Sequence, residues 1–160
     1  MSYRVTFVCT GNICRSPMAE HILRRHVSEA NLDVLVDSSG TGGWHVGDPA
    51  DKRTVATLRR HGYTSKHTAQ QFRPLWFNRY DLIIALDQGH YRDLRSMAPN
   101  PEDREKVRLL REFDTAADGL DVPDPYYGGR AGFELVRDQI EAAVPGLLEE
   151  IRKNLPAGRV

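Results

Sequence analysis

Short unbroken apolar runs alternate along the chain with longer stretches in which apolar residues return every third or fourth position. These are the signatures of buried strands and of the helices that cover them. The first run ends Phe7-Val8-Cys9, and after a brief loop Met18, Ala19, Ile22, Leu23, Val27 and Ala30 fall on one side of a helix, with Arg24, Arg25 and Glu29 on the other. Val34-Leu35-Val36 is a short buried strand, closed by Asp37-Ser38-Ser39-Gly40. Strand, helix and strand make a βαβ unit, which in a parallel sheet is almost always right-handed.

The pattern repeats further on. Residues 51–61 read as a second helix with Val55 and Leu58 facing inward and Gly62 as its stop, and residues 73–78 as a short helix. Asp81-Leu82-Ile83-Ile84-Ala85-Leu86 is the clearest buried strand and belongs at the centre of the sheet. Asp87 behind it either caps the next helix, residues 88–97, which is the favoured reading, or supports a ligand at the strand end. Pro99-Asn100-Pro101 breaks that helix, and residues 107–110 supply a fourth strand. Phe133, Val136, Ile140, Val144, Leu147, Leu148, Ile151 and Leu155 form the stripe of a long terminal helix. Pro145 predicts a kink or restart within residues 143–146, and the tail over 156–160 is expected to fray. The order of elements predicts an α/β fold, a three-layer sandwich with a four-stranded parallel sheet and helices on both faces.

Composition narrows the picture. With 160 residues, 40% of them apolar, and no linker-like stretch, the chain is expected to be a single domain over 1–160. Its 22 basic residues cancel its 22 acidic ones, so no overall charge favours nucleic acid or an anionic membrane, and any preference for phosphate must be local. The first residues run into a strand without the apolar region of a signal peptide, and no run reaches the length of a membrane span. A cytoplasmic protein is expected, with export by a route independent of a signal peptide left open. The two cysteines, Cys9 and Cys14, are too close together to staple distant segments. They also lack the matched histidines of a zinc site, and no Gly-Lys-Ser/Thr follows the glycine as nucleotide hydrolases require.

The chemistry concentrates between Cys9 and Pro17. Gly11 and Asn12 tolerate positive φ, so the loop can curl until successive backbone N–H groups aim at one spot. Ser16 is a candidate N-cap and Pro17 suits the first helical position, which brings the positive end of the helix dipole to the same spot. Donors, dipole and Arg15 all favour a thiolate at Cys9, and the planar guanidinium can grip two phosphate oxygens at once. Cys-x5-Arg-Ser is therefore a signature of a nucleophile joined to a phosphate cradle made of Thr10, Gly11, Asn12, Ile13, Cys14 and Ser16. A second stretch, Asp121-Val122-Pro123-Asp124-Pro125-Tyr126-Tyr127-Gly128, holds Asp124 between two prolines. In isolation it reads equally well as an Asp-Pro turn leading into a helix.

From Val8 through Glu20 the chain matches Val-Cys-x-Gly-Asn-x-Cys-Arg-Ser-Pro-Met-Ala-Glu, and it resembles the low-molecular-weight protein tyrosine phosphatases over about residues 4 to 153. It looks closest to the PtpA-type branch of actinobacteria. The resemblance implies a hydrolase that removes phosphate from phosphotyrosine proteins and aryl phosphates through a phosphocysteine intermediate, releasing inorganic phosphate and using no metal or other cofactor. It implies Cys9 as nucleophile, Arg15 as the phosphate grip and Asp124 as general acid. Trp44, His45, Tyr126 and Tyr127 would wall the substrate ring, Ser38 and His67 would hold Asn12 and the loop, and Cys14 would be the redox partner of Cys9. Read without the resemblance, Trp44 has as its alternative a partly buried loop tryptophan, and His45 and His67 surface histidines. Three rivals lack support. An arsenate reductase needs cysteines beyond the loop, and residues 15–160 have none. A non-catalytic phosphotyrosine-binding module needs neither Cys9 nor Asp124. A phosphocarrier of sugar transport leaves Asp-Pro-Tyr-Tyr unexplained.

Overall fold

A computed structural model describes residues 2–155. Strands β1 (Tyr3–Cys9), β2 (Val34–Gly40), β3 (Leu82–Ala85) and β4 (Val107–Leu109) form one parallel sheet in the order β2-β1-β3-β4. β1 pairs with β2 from Tyr3↔Val34 to Cys9↔Gly40 and with β3 from Val5↔Leu82 to Val8↔Ala85. A parallel sheet needs cover on both faces, and the side-chain period of two sorts the strands accordingly. Tyr3, Val5, Phe7, Leu82 and Ile84 join a core with helices α1 (Arg15–Glu29) and α5 (Arg130–Asn154). Val8, Ile83 and Ala85 pack on the other face with Phe72, Phe77 and Leu94. Helix α2 (Lys52–Arg60) lies against α1 and α5, and α3 (Gln88–Met97) against β3 and β4. The expected three-layer α/β architecture with four parallel strands is the one observed.

The connections from β1 and β3 leave in opposite directions along the sheet, so a crevice opens beyond their carboxyl ends, the usual ligand position in such folds. Cys9 ends β1, and Asp87 stands two residues beyond β3.

Several local expectations change. β2 does not end at Val36 but runs through Ser38 and Ser39 to Gly40, because those residues keep pairing with Phe7, Val8 and Cys9; it is an edge strand, and Leu35 is half exposed. Helix α1 starts at Arg15 rather than at Pro17, with Cys14 at the N-cap position and no side-chain cap. The hydroxyl expected of Ser16 as a cap is turned into the loop instead. Pro145 neither breaks nor restarts α5, which is continuous from Arg130–Asn154. Its ring is on the exposed side of the helix, while Ala143, Val144 and Leu147 keep the buried stripe intact. Next to it, a Cβ on Gly146 would stand 2.1 Å from the Phe113 carbonyl oxygen, so glycine is what lets α5 close on the turn Leu110–Phe113. Leu155 lies just past the helix as its C-cap, Pro74–Arg79 is 3-10 helix, and a short α4 (Pro101–Glu105), capped by Asn100, follows the proline break. The expected fraying over 156–160 falls outside the described residues.

Candidate active site

Between β1 and α1 the chain makes a tight loop in which Asn12, at φ 58°, takes the left-handed conformation. Gly11 does not share it; what glycine supplies there is room, since a Cβ would come within 2.9 Å of the His45 ring. Four of the loop carbonyls point outward to partners. Those of Cys9 and Thr10 accept from the Thr41 and Gly42 amides at 2.8 and 2.9 Å, that of Asn12 from His67 Nε2 at 2.7 Å, and that of Ile13 from the Asp51 amide at 2.8 Å. By contrast, the amides of residues 11–14 donate to no protein group among the described residues. Backbone donors are seldom left without an acceptor, and a row of them at a helix N-terminus is an anion cradle.

The buried side chain of Asn12 holds this shape. Its Nδ2 donates to Ser16 Oγ at 2.8 Å and to Ser38 Oγ at 2.9 Å, and its Oδ1 accepts from the Gln70 amide at 3.0 Å. Ser38 in turn donates to the buried carboxylate of Glu20 at 2.6 Å. Since His67 Nε2 faces a carbonyl it carries the proton, and burial pulls the pKa of this imidazole below its ordinary value. Gly40 lies against the same loop. A Cβ there would sit 2.6 Å from the Thr10 carbonyl oxygen and 3.1 Å from the Asn12 amide, so any larger residue displaces the cradle.

Cys9 Sγ lies 2.9 Å from Ser16 Oγ. Cys14, on the far side of the loop, is a different kind of thiol: burial, then the neighbouring Asp51 and Cys9, push its pKa up to about 12. Arg15 is buried at 4% side-chain exposure, and its Nη1 donates to Asp87 Oδ2 at 2.8 Å and to the Val122 carbonyl at 2.9 Å. Asp87 thus does both things left open for it. Oδ1 caps α3 by accepting from the His90 amide at 2.9 Å, and Oδ2 pairs with Arg15. Burial works against its charge, but the His90 amide, His90 and Arg15 outweigh it and hold its pKa below the usual range.

A cavity of about 250 Å³ opens over Cys9 and Arg15. Asp124 borders it with its carboxylate half exposed, 3.9 Å from Arg15 Nη2 and accepting from the Tyr126 amide at 3.1 Å. Trp44 (77% exposed) and Tyr127 (92%) stand at the rim, with Tyr126 edge-on to Tyr127 at 5.0 Å. His45 lines the cavity too, with Nδ1 at 3.1 Å from Asp48. Every residue expected at the site is gathered here, the buried side chains of Asn12, Ser16, Ser38 and His67 within and behind the loop and the others lining the cavity. Sequence reasoning missed Glu20, Gln70, His90 and Gly40. Glu20 and His90 sit in helical stretches where a polar residue ordinarily signals a solvated face, and Gly40 reads as a strand stop. Only the matched Val8–Glu20 pattern carried a hint of Glu20.

Fold and site together define a parallel α/β protein whose strand-end loop joins a cysteine and an arginine to a row of free backbone amides among the described residues. Residues 4–157 match the family described as low molecular weight phosphotyrosine protein phosphatase, and the chain belongs to that family. It is 58% identical over 159 residues, 97% of either chain, to the low molecular weight protein-tyrosine-phosphatase of Streptomyces coelicolor. It is 46% identical over 155 residues, 94% of this chain and 93% of the relative, to low molecular weight protein-tyrosine phosphatase A of Mycobacterium tuberculosis. A crystal structure of a protein tyrosine phosphatase from Entamoeba histolytica superposes with a TM-score of 0.91 at 33% identity, covering 95% of this chain and 98% of that one. Among the described residues no helix is long and apolar enough to cross a membrane.

Proposed function

We propose that the protein hydrolyses phosphotyrosine in protein substrates through a phosphocysteine on Cys9, with Arg15 and Asp124 as its working partners. The observation that carries the reading is the loop in which carbonyls are tied outward while the amides of residues 11–14 stay unpaired around Cys9. The Cys9 thiolate attacks phosphorus, the S–P bond forms, and the P–O bond to the phenol breaks. Loop amides and Arg15 hold the three equatorial oxygens as their charge shifts. Asp124 gives its proton to the departing phenolic oxygen. Water then attacks the phosphocysteine, Asp124 takes a proton back, the S–P bond breaks, and inorganic phosphate leaves. Ser16 donates to the sulfur in both steps, stabilising it as nucleophile and as leaving group.

The exposed aromatic rim selects for a ring on the phosphate. The wild-type protein is therefore expected to release phosphate from a phosphotyrosine peptide and to leave the phosphoserine form of the same peptide nearly untouched. Equal release from both, or from neither, defeats the proposal.

Cys14 is assigned as a redox guard. Peroxide converts the Cys9 thiolate to a sulfenic acid; the Cys14 sulfur attacks it, the disulfide forms, and the displaced hydroxyl leaves with the Cys14 proton as water. Because its thiol is held protonated at neutral pH, the Cys14 side chain does not compete with Cys9 for the phosphate, and only its amide serves the cradle. Cys14→Ser is expected to keep most of the reduced activity yet to lose the recovery that dithiothreitol gives after a peroxide pulse. Full recovery in that variant removes the role.

A further inference from the structure

One buried histidine behind the wall of the site has no part in the reaction as described. His90, on the first turn of α3, is 4% exposed, and its Nε2 lies 2.8 Å from Thr10 Oγ1 in the loop. Arg15 Nη2 approaches both atoms, at 3.4 Å from Thr10 Oγ1 and 3.5 Å from His90 Nε2. On the other edge of the ring, Nδ1 lies 3.1 Å from Asp87 Oδ1 but out of line for a hydrogen bond, so its only tie to that carboxylate is electrostatic. Asp87 Oδ2 accepts from Arg15 Nη1, so Thr10, His90 and Asp87 surround the guanidinium.

The donor count sets the direction of these hydrogen bonds. Arg15 only donates and the Asp87 carboxylate only accepts. Burial, with Arg15 adding to it and Asp87 opposing, brings the pKa of His90 down to about 4, so the ring is neutral and carries one proton. That proton belongs on Nδ1, because Arg15 Nη2 can only donate toward Nε2, which must therefore keep its lone pair. Nε2 then offers a lone pair to the Thr10 hydroxyl, and the Thr10 oxygen turns its own lone pairs toward Arg15 Nη2. A protonated His90 would instead set a second cation against the guanidinium.

We infer that His90 is a positioning residue: acting through Thr10, it holds the Arg15 Nη2 edge in the plane where a phosphate is gripped. The inference rests on the proposed role of Arg15. Without His90, Thr10 loses its preferred rotamer and the guanidinium keeps only its Nη1 anchors, Asp87 and the Val122 carbonyl. Each binding event must then fix the free edge again, a cost that falls on any phosphate-shaped anion.

The test uses His90→Ala, His90→Asn and His90→Gln in the full chain. The amide of glutamine reaches the place of Nε2, whereas that of asparagine reaches only the place of Nδ1. Orthovanadate affinity by calorimetry, kcat/KM on p-nitrophenyl phosphate and the thermal midpoint are measured for each. Losing a hydrogen bond that orients a charged group corresponds to about a tenfold effect. Alanine and asparagine are expected to weaken vanadate binding and kcat/KM by that factor, glutamine to restore both to within about threefold. Thr10→Val combined with His90→Ala should be no worse than the poorer single variant, since the two act in one chain. Unchanged vanadate affinity in His90→Ala overturns the inference, as does a glutamine variant no better than alanine, whatever the thermal midpoints. Vanadate binding is read without turnover, so wild-type protein that binds vanadate but hydrolyses no phosphotyrosine would count against the proposed function and not against His90.

Discussion

Cys9→Ser is expected to lower hydrolysis of p-nitrophenyl phosphate by at least about 10⁴-fold while inorganic phosphate still binds. A serine hydroxyl is not ionised at neutral pH and needs a base beside it to attack phosphorus. The cysteine sulfur has none: its hydrogen-bond partner is the hydroxyl of Ser16, a group that steadies an anion but does not create one. The amides of residues 11–14 and Arg15 are left in place by the substitution, so the phosphate cradle should survive the loss of the nucleophile. Steady-state assay of the variant beside the wild type decides the matter, with phosphate affinity measured by calorimetry. A serine variant retaining within about a hundredfold of wild-type turnover would place the nucleophile elsewhere.

Asp124→Ala is expected to act differently on different leaving groups. For phenyl phosphate, whose phenolate is a strong base at neutral pH, turnover should fall by about 10²–10⁴. For p-nitrophenyl phosphate, whose leaving group needs little help from a proton, the fall should be much smaller. The geometry fits the role. Asp124 is stiffened by a proline on either side, its Oδ1 is tied to the Tyr126 amide, and its Oδ2 lies at the edge of the cavity 3.9 Å from Arg15. A carboxylate that served only to orient Arg15 would cost both substrates alike when removed. Equal losses would therefore strip Asp124 of the proton-donor role.

Much of this was legible in the chain, and the limits have physical causes. The sheet could be read because parallel strands buried on both faces must be continuously apolar, as Ile83, Ile84 and Ala85 are. The loop could be read because Cys9, Asn12 and Arg15 have chemistry that few strand–helix junctions call for. Pro145 misled as a restart because a proline on the exposed side of a helix leaves the buried stripe intact, and which side is exposed is a tertiary property. Ser16 misled in a related way. Its residue type is right for a cap, but a capping oxygen must accept from the first helix amides, and here the Ser16 oxygen accepts from Asn12 Nδ2 and faces the Cys9 sulfur instead. Glu20 and His90 stayed hidden because a charged or titratable residue on a helix looks the same in sequence whether it meets water or a neighbour's donor. Glu20 is buried against Ser38, and His90 against Thr10.

The outward wiring of the loop carbonyls reaches well beyond the loop. Their donors come from Thr41, Gly42, Asp51 and His67, all within one stretch of chain between β2 and β3. The sequence Cys9 to Ser16 transplanted onto another strand–helix junction would lack those tethers and relax, so the motif is not a portable module. Conversely, an anion seated on the inner amides is thermodynamically linked to order in that outer stretch, and its arrival should slow amide hydrogen exchange at Thr41, Gly42 and Asp51, none of which it touches.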